Sequence, residues 1–290
     1  MAKKNNRDFV VFILTHGRVR NQYTYNALLN QGYTGRVMFV LDNEDSQIEE
    51  YKNRFGENNC YVFDKLEWAK RSDEIVRGDR RAILYARNAC FEIARKLGYK
   101  YFMELDDDYV DFRWRFGDKG QYLTKTPKIK NLNAVFASML NYFKNAPITT
   151  LTMAQGGDFI GGSKNQMLRQ IGLKRKAMNT FICSVDRPFE FKGRFNDDVN
   201  TYTRLGCRGL LFCCMSQCNI QQKSSQSVPG GMTEVYRETG TYIKSFTSVI
   251  VYPSGVKVTI LNSHHSRIHH NVLWGHTAPK ILQEKWKKNK

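Results

Sequence analysis

Phe9-Val10-Val11-Phe12-Ile13-Leu14 is an unbroken apolar run with β-branched content, and it stops abruptly at Thr15-His16-Gly17-Arg18. A run this short and this apolar reads as a strand buried on both faces, which requires helices to cover the sheet on each side. The pattern then repeats. Residues 23–31 read as a helix ending near Gly32, 37–41 as a second strand, 46–55 as a helix closed by Gly56, and Cys60–Phe63 as a third strand. Between 80 and 97 the residues Ile83, Leu84, Cys90, Ile93, Ala94 and Leu97 recur at helical spacing, with Asp79 as cap and Gly98 as stop. A fourth strand spans 101–105. This alternation predicts an α/β fold with right-handed crossovers and a mostly parallel sheet. Without internal repeats or low-complexity linkers, the 290 residues are expected to form a single domain.

Polar and charged residues stand just past the strands: Thr15-His16-Gly17-Arg18, then Asp42-Asn43-Glu44-Asp45, then Asp106-Asp107-Asp108. This is the carboxyl edge, where open α/β sheets bind ligands. No GxGxxG follows the first strand and no phosphate loop with Lys-Ser/Thr occurs, which argues against a dinucleotide or Walker-type site. The 45 Lys and Arg against 27 Asp and Glu leave a net charge of +18, spread along the chain and suited to a polyanionic partner such as nucleic acid. No apolar run approaches the roughly 18 residues of a membrane helix. Met1-Ala2-Lys3-Lys4 precedes only six apolar residues, too few for a secretory signal. Seven cysteines, an odd number in apolar surroundings, fit reduced thiols in a cytoplasmic protein, and the cluster Cys207, Cys213, Cys214, Cys218 lacks the CxxC spacing of a zinc site.

Three aspartates ending an apolar strand repel one another, and a divalent cation such as Mn²⁺ or Mg²⁺ removes that cost. Asp106 and Asp108 are the expected metal ligands, with Asp107 capping or facing a ribose; a solvated acidic turn is the alternative. In the helix after Asp79, Arg80 and Arg87 lie seven apart and share a face that suits phosphates, alongside Asn88 and Arg81. Ordinary surface arginines are the other reading. Phe112-Arg113-Trp114-Arg115-Phe116, followed by a Gly- and Lys-rich stretch, suits phosphate binding and base stacking, and equally a half-buried strand with Arg outward. Five of the six histidines fall between 264 and 276; His265 and His269, or His264 and His270, suit a metal or a phosphate from a loop, and His265 and His269 are the expected additional metal ligands.

Thr15-His16-Gly17-Arg18, Ala86-Arg87-Asn88 and Glu104-Leu105-Asp106-Asp107-Asp108, in that order, resemble the nucleotide-sugar half of GT-A glycosyltransferases, which carry an Ala-Arg-Asn helix followed by a strand and a DxD signature. Gly156-Gly157-Asp158-Phe159-Ile160-Gly161-Gly162 resembles their glycine-rich acceptor-side segment. Asn196-Asp197-Asp198-Val199 resembles the Glu-Asp helix start that supplies the catalytic base in inverting members, with Asp197 in place of the glutamate. The base is thus Asp197 or Asp198, and the other caps the helix. Thr241 to Phe246 and His264 to His270 resemble the TET-associated glycosyltransferases of phages. The resemblance implies a Rossmann-type, GT-A-like mixed sheet with acceptor-side and C-terminal elaborations. Residues 1–115 would form the nucleotide-sugar half and 116–290 the acceptor and catalytic half. It implies Thr15, His16, Arg18, Asp42, Arg80, Arg87, Asn88 and Asp107 at the donor, and Gly157, Asp158, Gly161, Gly162 and Lys244 at the acceptor. A late histidine often completes the metal site in such enzymes.

The implied reaction is transfer from a UDP-sugar, glucose or another, to hydroxymethylated pyrimidines in DNA, 5-hydroxymethylcytosine foremost, in the cytoplasm of the host. A protein or glycan acceptor is one alternative. A non-catalytic DNA-binding module on a decayed fold is another, which the intact aspartates oppose.

Overall fold

The computed structural model describes residues 7–72, 80–159, 162–164, 176–223, 235, 238, 242–261 and 266–278. The first half runs β1 (Phe9–Leu14), α1 (Tyr23–Asn30), β2 (Val37–Asp42), α2 (Ile48–Phe55), β3 (Cys60–Phe63), α3 (Lys65–Arg71), α4 (Leu84–Lys96), β4 (Tyr101–Asp106) and β5 (Tyr109–Trp114). Then come α5 (Leu132–Asn145), β6 (Thr150–Gln155), β7 (Phe181–Ser184), α6 (Asp197–Gly206) and β8 (Phe212–Gln222). The chain continues through α7 (Tyr242–Val251), the strands β9 (Val256–Leu261) and β10 (Arg267–Val272), and the short α8 (Trp274–Thr277).

Among the described residues eight strands form one sheet, ordered β3-β2-β1-β4-β7-β6-β8-β5. Pairings β3–β2, β2–β1, β1–β4 and β6–β8 are parallel, while β4–β7, β7–β6 and β8–β5 are antiparallel. The sheet is the expected mixed, mostly parallel one, and both halves of the chain contribute strands to it. Alternation along the strands divides the core. Val11, Ile13, Phe39, Leu41, Met103 and Leu105 pack with Leu28 of α1 and Leu132, Phe136 and Phe143 of α5. Val10, Phe12, Val40 and Phe102 face the other way, onto Leu84, Cys90 and Ile93 of α4 and Val199 and Tyr202 of α6. A strand covered on both faces is therefore apolar at every position, as β1 is.

The register fixes the functional edge. Leu14 lies opposite Asp106 and Asp42 opposite Phe63, so Thr15, Asn43 and Asp107 leave the sheet together. One expectation is corrected here. Helix α4 starts at Leu84, so Arg80 and Arg81 precede it and do not share a helix face with Arg87. Tertiary ion pairs hold them instead, Arg80 to Glu44 (Nε–Oε1 2.7 Å) and Arg81 to Glu238 (2.7 Å). All seven cysteines are free thiols. No helix among the described residues is long and apolar enough to cross a membrane.

Candidate active site

At the ends of β1 and β4, the Thr15 hydroxyl is the hub of a buried network. It donates to Asp107 Oδ2 (2.6 Å), accepts from Gln22 Nε2 (2.9 Å) and contacts the Tyr51 hydroxyl (2.8 Å). Arg18 donates to the other oxygen of Asp107 at 2.8 Å. Asp107 thus has both oxygens satisfied by the protein. The Thr24 hydroxyl donates to the Asp106 carbonyl (2.5 Å) and accepts from the Tyr109 amide (2.9 Å), which fixes the turn carrying Asp107 and Asp108. Beside it, Asp42 binds His16 Nδ1 at 2.7 Å and Lys65 Nζ at 3.3 Å. The carboxylate partner holds the His16 imidazolium above its usual range, and the two cations hold Asp42 below its own despite its burial.

Arg87 joins this edge to the second half of the chain. Nearly inaccessible, it donates from Nη2 to Asp106 Oδ1 (3.2 Å) and from Nη1 to Asp197 Oδ2 (2.9 Å). The rings of Phe181 and Phe191 lie 5.0 and 5.4 Å from its guanidinium carbon. Asn88, one residue on, donates to the Phe191 carbonyl (3.1 Å) and accepts from the Phe191 amide (2.8 Å), so its amide holds that loop against α4. Glu104 lies beside Arg87 with no exposure, and apart from the Cys90 thiol its oxygens have no hydrogen-bond partner among the described residues. One guanidinium faces the carboxyl groups of residues 104, 106, 197 and 198 and cannot neutralise all of them. Burial therefore pushes Glu104 well above the carboxylate range, Asp197 up to about 7, and Asp198 upward as well.

Asp197 and Asp198 occupy the first turn of α6, where the helix dipole favours negative charge. Neither is the cap. That position belongs to Asn196, in the left-handed conformation at φ 53°. Its side-chain amide reaches the Lys244 carbonyl (2.9 Å), the Ser248 hydroxyl (3.0 Å) and His270 Nδ1 (3.2 Å), which docks α7 and β10 on the helix start. Asp198 accepts from the Val199 amide through Oδ1 (2.7 Å), and its second oxygen has no hydrogen bond among the described residues. Positive charge from Lys176 acts on Asp198, and Asp198 acts in turn on Lys244. Burial and Arg267 depress the Lys244 ammonium. His270 is pushed down to about 4 by burial and by His269, Lys244 and Lys176, and is therefore neutral. His269 shifts the same way. Both lie on a strand, not the expected loop, and it is His270 that meets the α6 start.

After β6, residues Gly156–Phe159 form a 3₁₀ turn in which buried Asp158 accepts from the Gln155 amide (2.8 Å) and pairs with Lys176 (3.1 Å). A side chain added at Gly157 would meet open space, and Gly162 takes a positive φ of 56°. Gly161 and His265, like Asp79, lie outside the described residues.

Residues 9–231, more than half of the chain, match the family model of the TET-associated glycosyltransferases. The chain belongs to that family. No curated protein sequence matches it. It is similar in structure to glucosyl-3-phosphoglycerate synthase from Mycobacterium tuberculosis, solved with Mg²⁺ and UDP, at 11% identity and a TM-score of 0.46, covering 91% of this chain and 87% of that one. It is also similar to the mannosyltransferase PcManGT from Pyrobaculum calidifontis, solved with GDP-Man and Mn²⁺, at 9% identity and a TM-score of 0.44, over 84% and 73% of the two chains. A match to S. aureus TarS has 12% identity and a TM-score of 0.44 and covers 73% of this chain; the chain spans 36% of TarS.

In this glycosyltransferase, Asp108 keeps an oxygen that a cation could take. Its Oδ1 is buried without a partner, and burial with repulsion from Asp106 and Asp107 pushes its carboxyl up to about 7. A dication reverses that balance by favouring the charged form. The donor set is all oxygen, which suits Mg²⁺ or Mn²⁺. Among the described residues no three His, Cys, Asp or Glu side chains form a ready cage, and His269 is not brought into one with Asp106 and Asp108. Sequence reasoning missed Gln22, Thr24, Tyr51, Lys65, Lys176 and Glu104. Only Glu104 carried a signal, a carboxyl two residues before Asp106 and so on the same strand face.

Proposed function

We propose that this glycosyltransferase moves a sugar from a nucleotide sugar, a UDP-sugar foremost, to hydroxymethylated pyrimidines in DNA. The observation that carries this reading is the Arg87 bridge, which ties the Asp106 strand end to the α6 start and so sets Asp198 beside the DxD turn. The net charge of +18 supports a polyanionic acceptor. Asp106 and Asp108 would hold a divalent cation, whose part is to offset the charge that develops on the departing diphosphate. Thr15, Arg18 and Tyr51 keep Asp107 fixed, so the turn presents Asp108 in one orientation. Asp197 is engaged by Arg87, whereas Asp198 keeps an oxygen for the acceptor hydroxyl. As that hydroxyl oxygen bonds to the anomeric carbon, Asp198 takes its proton, and the bond from the sugar to the diphosphate breaks. Lys176 and Lys244 beside Asp198 favour an approaching phosphodiester backbone.

Nucleoside mass spectrometry tests this directly. The protein, Mn²⁺ and a panel of UDP-sugars are incubated with DNA carrying 5-hydroxymethylcytosine or plain cytosine. A sugar added only to the hydroxymethylated DNA is expected. Slow UDP release without DNA product would retain the donor and move the acceptor to protein or glycan.

A further inference from the structure

The Arg-aromatic segment Arg113-Trp114-Arg115 and the lysines that follow have no part in the site above. Trp114 lies at the far end of β5, six residues beyond Asp108, or about 20 Å along an extended strand. There it lines a cleft of about 550 Å³ between β5, β8 and the start of α5, with Lys128, Lys130, Asn131, Met215 and Gln217 among the other walls. Among the described residues no carboxylate lines the cleft. Asp111, just behind it, is occupied on both oxygens, by Arg113 at 2.7 Å and Lys128 at 3.2 Å, so the Lys128 ammonium is held in place at the mouth. Lys130 is exposed and forms no ion pair among the described residues. Trp114 is half-buried, and no ring stacks on it among the described residues.

The walls are built firmly. The Trp114 amide donates to the Pro127 carbonyl and the Ile129 amide to the Phe112 carbonyl, both at 2.9 Å, which binds the lysine-bearing segment along β5. Buried Gln31 donates to the carbonyls of Phe112 and Ile129, each at 2.7 Å. Gly32, at φ +79°, lets the segment approach so closely that an added Cβ would fall 2.7 Å from the Lys130 carbonyl.

An apolar slot with an indole wall, one exposed lysine without an ion pair among the described residues and a second lysine anchored by Asp111 suits a flat base joined to phosphodiesters. We propose that this cleft is a second, non-catalytic nucleic-acid subsite, which stacks an unpaired base on Trp114 and takes the flanking phosphates on Lys128 and Lys130. The proposal rests on the DNA acceptor reading and extends the DNA path away from the catalytic carboxylates.

The test uses the full chain and a labelled oligothymidylate, which carries no acceptor hydroxyl. Anisotropy titrations over a salt series are expected to give a log–log slope shallower by about 1.4 in Lys128→Ala/Lys130→Ala, two single-strand phosphates at ~0.7 each. Trp114→Leu is expected to weaken binding roughly tenfold at constant salt. Transfer to free 5-hydroxymethyldeoxycytidine should be unchanged in both. A double variant Lys52→Ala/Lys144→Ala, which removes the same charge elsewhere, controls for the general field. The subsite is overturned if the wild type does not bind the oligothymidylate, if the cleft variants bind like the wild type, or if the control variant loses as much. Failure of the DNA acceptor reading looks different: no sugar reaches hydroxymethylated DNA, whatever the cleft variants do to binding.

Discussion

Two sets of carboxylates at this edge of the sheet are built on opposite rules. At the ends of β4 and β2, Asp107 and Asp42 each have both oxygens bonded by protein donors. Around the Arg87 bridge, Glu104 has only the Cys90 thiol, Asp108 has one oxygen orphaned, and Asp198 holds only the Val199 amide among the described residues. Burying a polar group without a partner costs roughly 1–3 kcal/mol. The first set is bonded as a scaffold is; in the second, Asp108 and Asp198 keep oxygens that the proposed cation and acceptor would take, while Glu104 has no exposure and faces no ligand. Arg87 belongs to both, and removing it should break the distinction most severely. Arg87→Met leaves buried Asp197 and half-buried Asp106 without their cation, and stability in urea is expected to fall by about 3–5 kcal/mol. Arg87→Lys retains the charge but cannot bridge two carboxylates, so it should fold while turnover falls. A wild-type urea midpoint in Arg87→Met would show that the bridge does not hold the two centres together.

The second test separates the adjacent aspartates. Asp198→Asn should lower kcat by about 10²–10⁴ as a general base is lost. Its stability should hold or rise, since the amide oxygen still accepts from Val199 and repulsion on Asp197 is relieved. Asp197→Asn should do the reverse to stability, because Arg87 loses an anionic partner at 2.9 Å. If Asp197→Asn abolishes turnover at full stability while Asp198→Asn remains active, the roles are exchanged.

The parallel part of the sheet was legible because strands covered on both faces must be apolar throughout, and polar residues must then gather where they end. The antiparallel insertions were not. β5 follows β4 in the chain yet lies at the far edge beside β8, a placement decided by pairing Phe112 with Ile220 across more than a hundred residues. The early start expected for α4 failed for a similar reason: Arg80 and Arg81 suit a helix, but ion pairs with Glu44 and Glu238 hold them outside it. Asp106, Asp108 and Asp198 could be named from their positions after a strand and before a helix. That Arg87 is the buried cation among them could not, because propensity carries no information about which arginine faces the interior.

A smaller effect is expected within the satisfied centre itself. Thr15→Val retains shape but removes the hydroxyl that serves Asp107, Tyr51 and Gln22. Urea unfolding should show a loss of about 1–3 kcal/mol, the range for a buried group left without its partner. Turnover at saturating donor should fall less than in Asp198→Asn, since Arg18 still holds Asp107. A larger catalytic than structural loss would place Thr15 on the ligand-facing side of the comparison.

The smallest effect concerns His16 and the pH. Its folded pKa is raised above 6.5 by Asp42, so the ion pair contributes stability that is fully present below 6.5 and is lost as pH rises through the folded value. The imidazole is 42% exposed and solvent screens it, so the contribution is only a few tenths of a kcal/mol, about that of a surface pair. His16→Gln should remove this pH dependence while its amide still donates to Asp42. The wild-type advantage in urea midpoint should therefore be present below pH 6.5 and lost as pH rises through the raised folded value. Lys65 continues to neutralise Asp42 at 3.3 Å in both proteins, which is why the difference stays small. An advantage that persists unchanged at high pH would mean that His16 acts by packing, and that the satisfied centre owes less to charge than its pairings imply.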